Sequence, residues 1–257
     1  GEDTHLYLYY DPLHAEMTDY VGDTASETAW NVWNDGCKFV GIKPSGGQLL
    51  DSTRNQNHGT IYGATVTQGP LGRCLSFDGV DDYVSAPGAA PTDPSSGSAS
   101  ILFTRAWATN DSVTHGVMCI GGYVLGTQVD YKRLQMFKWN GNNQWYFRLA
   151  NETSMAQVNV LDSEIPENVL TYVAMTWANG LVSVYVNGVL AGTFAIQAPL
   201  TWLTDSVELG RAYYNNAMIG RIACAQVSSV ARSPAWIAAT NAALRDELIV
   251  YSDPGAP

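Results

Sequence analysis

Oxygen-rich residues carry the first chemistry this chain could offer. Asp51, Asn55 and Asn57 stand together in the loop Asp51-Ser52-Thr53-Arg54-Asn55-Gln56-Asn57. Hard cations such as calcium take six to eight oxygens from carboxylates, amide carbonyls and backbone, so the loop is a candidate calcium site. The same residue types also build tight turns, because Asp and Asn side chains hydrogen-bond the neighbouring backbone. Asp78, Asp81 and Asp82 form a second acidic group, whose charges repel unless a cation or donors satisfy them. Asp78-Gly79 reads as a turn, with Asp81 and Asp82 directed to opposite faces of the strand that follows.

Acid–base catalysis finds little support. A glycoside hydrolase places two carboxyl groups about 5–10 Å apart across the scissile bond, which on a strand needs acids at i and i+2 or i+4. Asp205 and Glu208 are spaced for opposite faces, and Asp162 and Glu164 fall in a Pro-punctuated loop. The histidines (His5, His14, His58, His115) form no HExxH, and neither a GxSxG elbow nor a phosphate-binding Gly loop occurs. The expectation is a protein that is not an enzyme.

Sugar binding asks for less. Aromatic faces stack on sugar rings, and adjacent amides and carboxylates meet hydroxyls. One such group is Trp139, Asn140, Asn142, Asn143 and Trp145 around a hairpin tip; a second is Trp202, Tyr213, Tyr214, Asn215 and Asn216. Strand alternation would place some of these rings inside, as it does Trp107, Trp177 and Tyr185.

The elements that must hold these residues are strands. The chain has 257 residues and a net charge of -11, with few charged residues and many Gly, Asn, Ser, Thr and aromatics, the profile of an all-β protein rich in turns. The acidic balance and the lack of a Lys/Arg cluster exclude nucleic acid as a partner, and no apolar run is long enough for membrane insertion. Cys37, Cys74, Cys119 and Cys224 are scattered without zinc spacing and read as buried free thiols. The chain starts at Gly1, as a processed or excised product would.

Strands are expected at 3–11, 39–43, 73–77, around 83–84, and at 100–109, 117–125, 133–140, 144–150, 171–178, 181–186, 189–195, 207–209 and 220–228, with a last one at 248–251. Pro44 to Gly47 reads as a turn, as do Asn140 to Asn143, Asn179-Gly180 and Asn187-Gly188. Ser233-Pro234 marks a helix start, with Ser as N-cap and Pro at the first position.

Two stretches carry a family resemblance. "DSTRNQNHG" followed by "SFDGVDDYV", and later "TYVAMTWANGLVSVYVNGVLAGT", resemble laminin-G-like, concanavalin A-like lectin domains of secreted bacterial and phage virion proteins. "GRIACAQVSSVARSPAWIAATNAALRDEL" is similar to the family's end, and "LYLYYDP" with Trp30 to Trp33 resembles a segment found just ahead of such domains. The resemblance implies an antiparallel jelly-roll β-sandwich with a short C-terminal helix. It divides the chain into an N-terminal extension, 1–45, packed on the sandwich, and a laminin-G-like domain, 46–257. Many members of the fold hold a structural calcium, but where the last core strand often carries an acidic pair this chain has Ala223 and Cys224.

The resemblance also implies a function: a non-catalytic, carbohydrate-binding recognition module, extracellular or displayed on a virion or cell surface. Its partners would be glycans or neighbouring virion or surface proteins, with room for self-association and cell adhesion. The alternatives are a decoration or fibre domain and, third, a glycoside hydrolase or lyase. Calcium is the one cofactor in view, through Asp51, Asn55 and Asn57.

Overall fold

The computed structural model describes residues 30, 32–33, 35–121, 132–151, 154–197, 200–202, 204–212, 217–245 and 247. The strands expected at 3–11 and 248–251, most of the extension, and Tyr213, Tyr214, Asn215 and Asn216 lie outside them.

Among the described residues the alternating pattern becomes sixteen strands. The first eight are β1 (Cys37–Ser45), β2 (Gln48–Asp51), β3 (Gly59–Tyr62), β4 (Thr65–Gly69), β5 (Gly72–Asp78), β6 (Tyr83–Ala86), β7 (Ser96–Arg105) and β8 (His115–Ile120). They are followed by β9 (Arg133–Trp139), β10 (Gln144–Ala150), β11 (Met155–Leu161), β12 (Thr171–Ala178), β13 (Leu181–Val186), β14 (Val189–Ala195), β15 (Val207–Leu209) and β16 (Ile219–Ser228). One helix, α1 (Pro234–Leu244), follows; the Ser233 hydroxyl accepts the Trp236 N–H at its start.

All pairings are antiparallel, in the order β11-β10-β9-β8-β15-β6-β3-β2-β1-β16-β7-β12-β13-β14, with β5 on β16 and β4 on β5. The path folds over at β1 and β2, so that β2 to β11 make one layer and β16 to β14 the other. Leu134, Met136, Trp145 and Phe147 from the first layer meet Ile101, Phe103, Val173 and Met175 from the second in a single core. This is the jelly-roll sandwich. At the far margin the edge strands β11 and β14 lie against each other, where a Cβ on Gly192 would come 3.1 Å from Val158.

The outer face of the second layer is covered. Leu102, Tyr172, Ala174, Tyr185 and Cys224 pack under Ile237, Trp236 and Leu244 of α1, which is why β7 and β12 are buried on both faces. Trp107 and Trp177 lie in the sandwich core, Trp177 by strand alternation and Trp107 from the loop after β7, whereas Tyr185 is buried on the outer face beneath α1.

Several expectations change. The strand at 39–43 runs on through Pro44 to Ser45, and the turn is confined to Gly46-Gly47, both at positive φ. Strand β1, placed in the extension by the sequence, pairs with both β16 and β2 and so belongs to the sandwich. Strand β8 starts at His115 and ends at Ile120, and residues 122–125 are outside the described set. The strand expected at 100–109 runs instead from Ser96 to Arg105. β2, β3 and β4 were not among the expected strands, and β11, which carries no turn signal of its own, was not expected either.

Candidate functional site

The Asp51 loop is built as a turn. Asp51 is fully buried. Its Oδ1 accepts the backbone N–H groups of Val40 and Thr53, each at 3.0 Å, and its Oδ2 accepts the Thr53 hydroxyl at 2.8 Å and the Asn57 N–H at 2.9 Å. Asn55 turns its NH₂ toward the Cys37 and Lys38 carbonyls, and Asn57 donates to those of Lys38 and Gly88. His58 Nδ1 accepts the Asp51 N–H. With four protein donors on one carboxylate and both amides presenting nitrogen, Asp51, Asn55 and Asn57 do not fit a calcium ion, which needs the oxygens.

The other acids are similarly engaged. The carboxylates of Asp78, Asp81 and Asp82 lie within 4.8 Å of one another, but Asp82 accepts the Asp78 N–H and Asp78 accepts the Val80 N–H, each at 2.8 Å. Burial raises the Asp82 pKa, and the charges of Asp78 and Asp81 add to the rise against the Asp78 N–H bond. Asp162 is buried against Arg105 at 3.3 Å and accepts Trp145 Nε1–H at 3.1 Å and the Asn110 N–H at 2.8 Å. Glu164 is exposed on a single 3₁₀ turn and accepts the Leu161 N–H.

The outer face of the first layer is different. Strand register sets one continuous row across it: Thr60, Ser85, Glu208, Cys119, Gln135, Arg148 and Gln157, from β3, β6, β15, β8, β9, β10 and β11 in turn. All but the thiol carry hydrogen-bonding oxygen or nitrogen on a sheet face that a bare sandwich would leave to water. In the middle the face is covered. Ala212 packs on Phe137 and Cys119, and Gln135 donates to the Ala212 carbonyl at 2.7 Å. Beneath that cover Arg133 Nε and Gln135 Oε1 are buried with no hydrogen-bond partner among the described residues.

Glu208 sits in this row with Oε1 accepting the Ser85 hydroxyl at 2.9 Å and Oε2 paired to Arg211 at 2.9 Å. Burial raises its pKa above the usual carboxylate range, opposed by the Arg211 charge and the bonds from Ser85, Arg211 and Ser206. The Arg211 guanidinium lies 3.5 Å from the Tyr83 ring centre, and Tyr83 stacks on Tyr62 at 4.4 Å.

Toward β11 the face opens. Arg148 Nε donates to Gln157 Oε1 at 3.0 Å, Gln157 Nε2 to Asn159 Oδ1 at 2.8 Å, and Asn159 Nδ2 to Gln144 Oε1 at 3.1 Å. Asn142 Nδ2 closes the ladder onto Gln144 Oε1 at 2.9 Å and the Tyr146 hydroxyl at 3.0 Å. Trp139 stands beside it, half-buried and edge-on to Tyr146 and Phe137. Beyond these bonds Gln157 and Asn159 each have a second N–H, Gln144 has its whole NH₂, and Asn142 has its carbonyl oxygen.

Of the residues expected to bind, the structure brings Trp139 and Asn142 together on this face. Asn143 sits in the same turn at φ +52, and its Oδ1 is buried without a hydrogen-bond partner among the described residues. Trp145 is a correction: its ring is in the core, because β10 alternates and Gln144 and Tyr146 take the outward positions. Trp202 is also drawn inward. It donates to the Pro91 carbonyl and meets Trp177 edge-on, beside Gly121 at the opposite end of β8 from the Trp139 hairpin. The residues that sequence reasoning missed are Gln144, Tyr146, Arg148, Gln157 and Asn159. Their signal was the i, i+2 run of amides, ring and Arg along 144–148 and 157–159.

No curated protein matches the chain. Solved structures share its fold at low identity. The binding domain of Paraclostridial Mosquitocidal Protein 1 has a TM-score of 0.64 at 11% identity, covering 81% of this chain and 52% of that one. The binding domain of botulinum neurotoxin DC, in complex with SialylT, gives 0.62 at 14%, covering 82% and 52%. Domain 4 of an extracellular arabinanase from Geobacillus stearothermophilus, in complex with arabinotriose, gives 0.60 at 17%, covering 79% and 96%. The chain spans about half the length of the toxin domains. The sequence model that matches covers residues 78–238, more than half of the chain and all of it from the turn after β5 into α1. The chain belongs to the Concanavalin A-like lectin/glucanases superfamily.

Proposed function

We propose that the chain is a non-catalytic glycan-binding module that takes its ligand on the open end of the first layer's outer face. The observation that carries this reading is the amide ladder from Asn142 to Arg148, flanked by Trp139 and Tyr146. A sugar presents a ring face and a set of hydroxyls. Here the hydroxyls meet amides already fixed by one another, so little side-chain entropy is lost on binding. The similar domains support the reading by their contents: one holds SialylT and one arabinotriose. The rows of this face hold one carboxylate among the described residues, Glu208, and it is paired to Arg211, which favours recognition over a two-carboxylate hydrolysis. Display outside a cell or on a virion follows from the same reading.

A second reading is a surface component that binds protein neighbours. It is favoured by the exposed Val189 and Leu190 on edge strand β14, and one neurotoxin binding domain of this fold is in complex with rat synaptotagmin II.

A glycan array followed by calorimetry on the hits tests the first reading. Binding should weaken about tenfold or more in Asn142→Ala/Asn159→Ala, whose sites are exposed, and further in Trp139→Ala. Array silence together with self-assembly would leave the second reading in its place. Hits indifferent to all three substitutions would remove the ligand from this face.

A further inference from the structure

We propose a second ligand site, on the outer face of the opposite layer, for a sugar ring that carries a carboxylate. Helix α1 covers most of that face, but a hollow of about 500 Å³ remains beyond it, bounded by Pro70, Phe77, Leu170 and Ile219 and by the polar side chains of Ser76, Thr104, Asn168 and Arg221. The volume lies in the range of small-molecule sites.

Register fixes its centre. Arg221 of β16 is opposite Ser76 of β5 on one side and Thr104 of β7 on the other. A guanidinium is therefore held between two hydroxyls at strand spacing, about 5 Å to each side. The charge is out of keeping with its surroundings. The chain has 24 acidic residues against 13 Lys and Arg. Arg105, Arg211 and Arg232 are paired with Asp162, Glu208 and Asp35. Arg221 is exposed and has neither an ion pair nor a hydrogen bond among the described residues.

The surroundings also select the anion. Glu167 lies close by, accepting the Asn168 amide at 3.3 Å, and Asp78 pairs with Ile219 at the strand end. One guanidinium in a negative field favours a single planar negative charge over a dianion, and its fork matches a carboxylate in two parallel bonds. Ser76, Thr104 and the Asn168 amide then face hydroxyls. Pro70, Leu170 and Ile219 give apolar surface for the C–H face of a ring. An acidic sugar unit satisfies all three parts.

The site shares no residue with the amide ladder, so the two can be tested apart. The probes are glucuronate, glucose and acetate, read by calorimetry and by ligand-observed NMR on the full chain. Glucuronate should bind saturably, weaken as salt is raised, and lose about ten- to a hundredfold in affinity in Arg221→Gln, the loss expected for one charge-assisted bidentate contact. Thr104→Ala should lose less, and Asn142→Ala/Asn159→Ala should bind as the wild type does. Glucose binding equal to glucuronate, or glucuronate binding unchanged in Arg221→Gln, would overturn the proposal. So would acetate matching glucuronate, which would leave a carboxylate contact without a sugar site. Failure here leaves the array result on the other face standing, and the reverse holds too.

Discussion

Replacing Asp51 by Asn changes one atom and should cost much of the domain's stability. The carboxylate lies at zero exposure and receives four donors, Val40 N–H and Thr53 N–H on Oδ1, Thr53 Oγ–H and Asn57 N–H on Oδ2. In the variant an NH₂ must stand where one oxygen was. The cheaper choice is the Oδ2 place, which meets one N–H instead of two, but the Asn57 N–H is then left facing a donor. The Thr53 oxygen cannot easily accept instead, because it already takes the Asn55 N–H and Nδ2–H. A buried donor without an acceptor costs about 1–3 kcal/mol, and the remaining bonds lose the charge that made them strong. The sum is about 3–4 kcal/mol, or a Tm lower by roughly 10 °C for a domain of this size. Urea unfolding and thermal scans measure it, with and without millimolar calcium. Calcium should leave the wild-type Tm where it is, because no oxygen of Asp51 is spare for it. A loss under about 1 kcal/mol, or a calcium-dependent rise in Tm that Asp51→Asn abolishes, would refute this account of the loop.

Three further outcomes follow from the same structure. All four cysteines are free thiols, and burial pushes Cys119 and Cys224 up to about 12; titration with a disulfide reagent at pH 8 should modify half-buried Cys37 fastest in the native state and all four only after denaturation. Glu208 has a pKa raised by burial, so its contribution to stability is full below the usual Glu value and is lost as pH rises through the folded one. The unfolding free energy of Glu208→Gln relative to wild type should therefore improve from pH 4 to pH 7, with no such trend counting against the burial argument. Ser233→Ala removes the cap that receives the Trp236 N–H and should cost about 1 kcal/mol in urea unfolding.

What could be read from the chain follows the strength of its local signals. Asn179-Gly180 and Asn187-Gly188 both adopt positive φ at each central residue, a backbone form that two-residue hairpins favour, so β12, β13 and β14 were legible to within a residue or two. Ser233-Pro234 was legible for the same reason. β11 was not, because Met155-Ala156-Gln157-Val158-Asn159 mixes small, polar and apolar residues on an edge strand, and with it went half of the amide ladder. Trp145 shows the limit of residue type as evidence. An indole beside three Asn residues reads as a sugar platform, yet one step of strand phase puts it in the core and gives the surface to Tyr146. The Asp51 loop shows another. Identical side chains can coordinate an ion or fasten a turn, and only the direction of the Asn55 and Asn57 amides decides.

The two layers are joined like the boards of a book. Along the spine, β1 continues into β2 by main-chain hydrogen bonds, while at the fore-edge β11 and β14 touch by side chains alone. Thermal breathing therefore begins at the fore-edge, where parting costs contacts and no ladder bonds. The strand that supplies Gln157 and Asn159 is also the cover's free margin, so a ligand gripping those amides would act as a clasp, slowing amide exchange in β14 across the gap as well as in β11 itself.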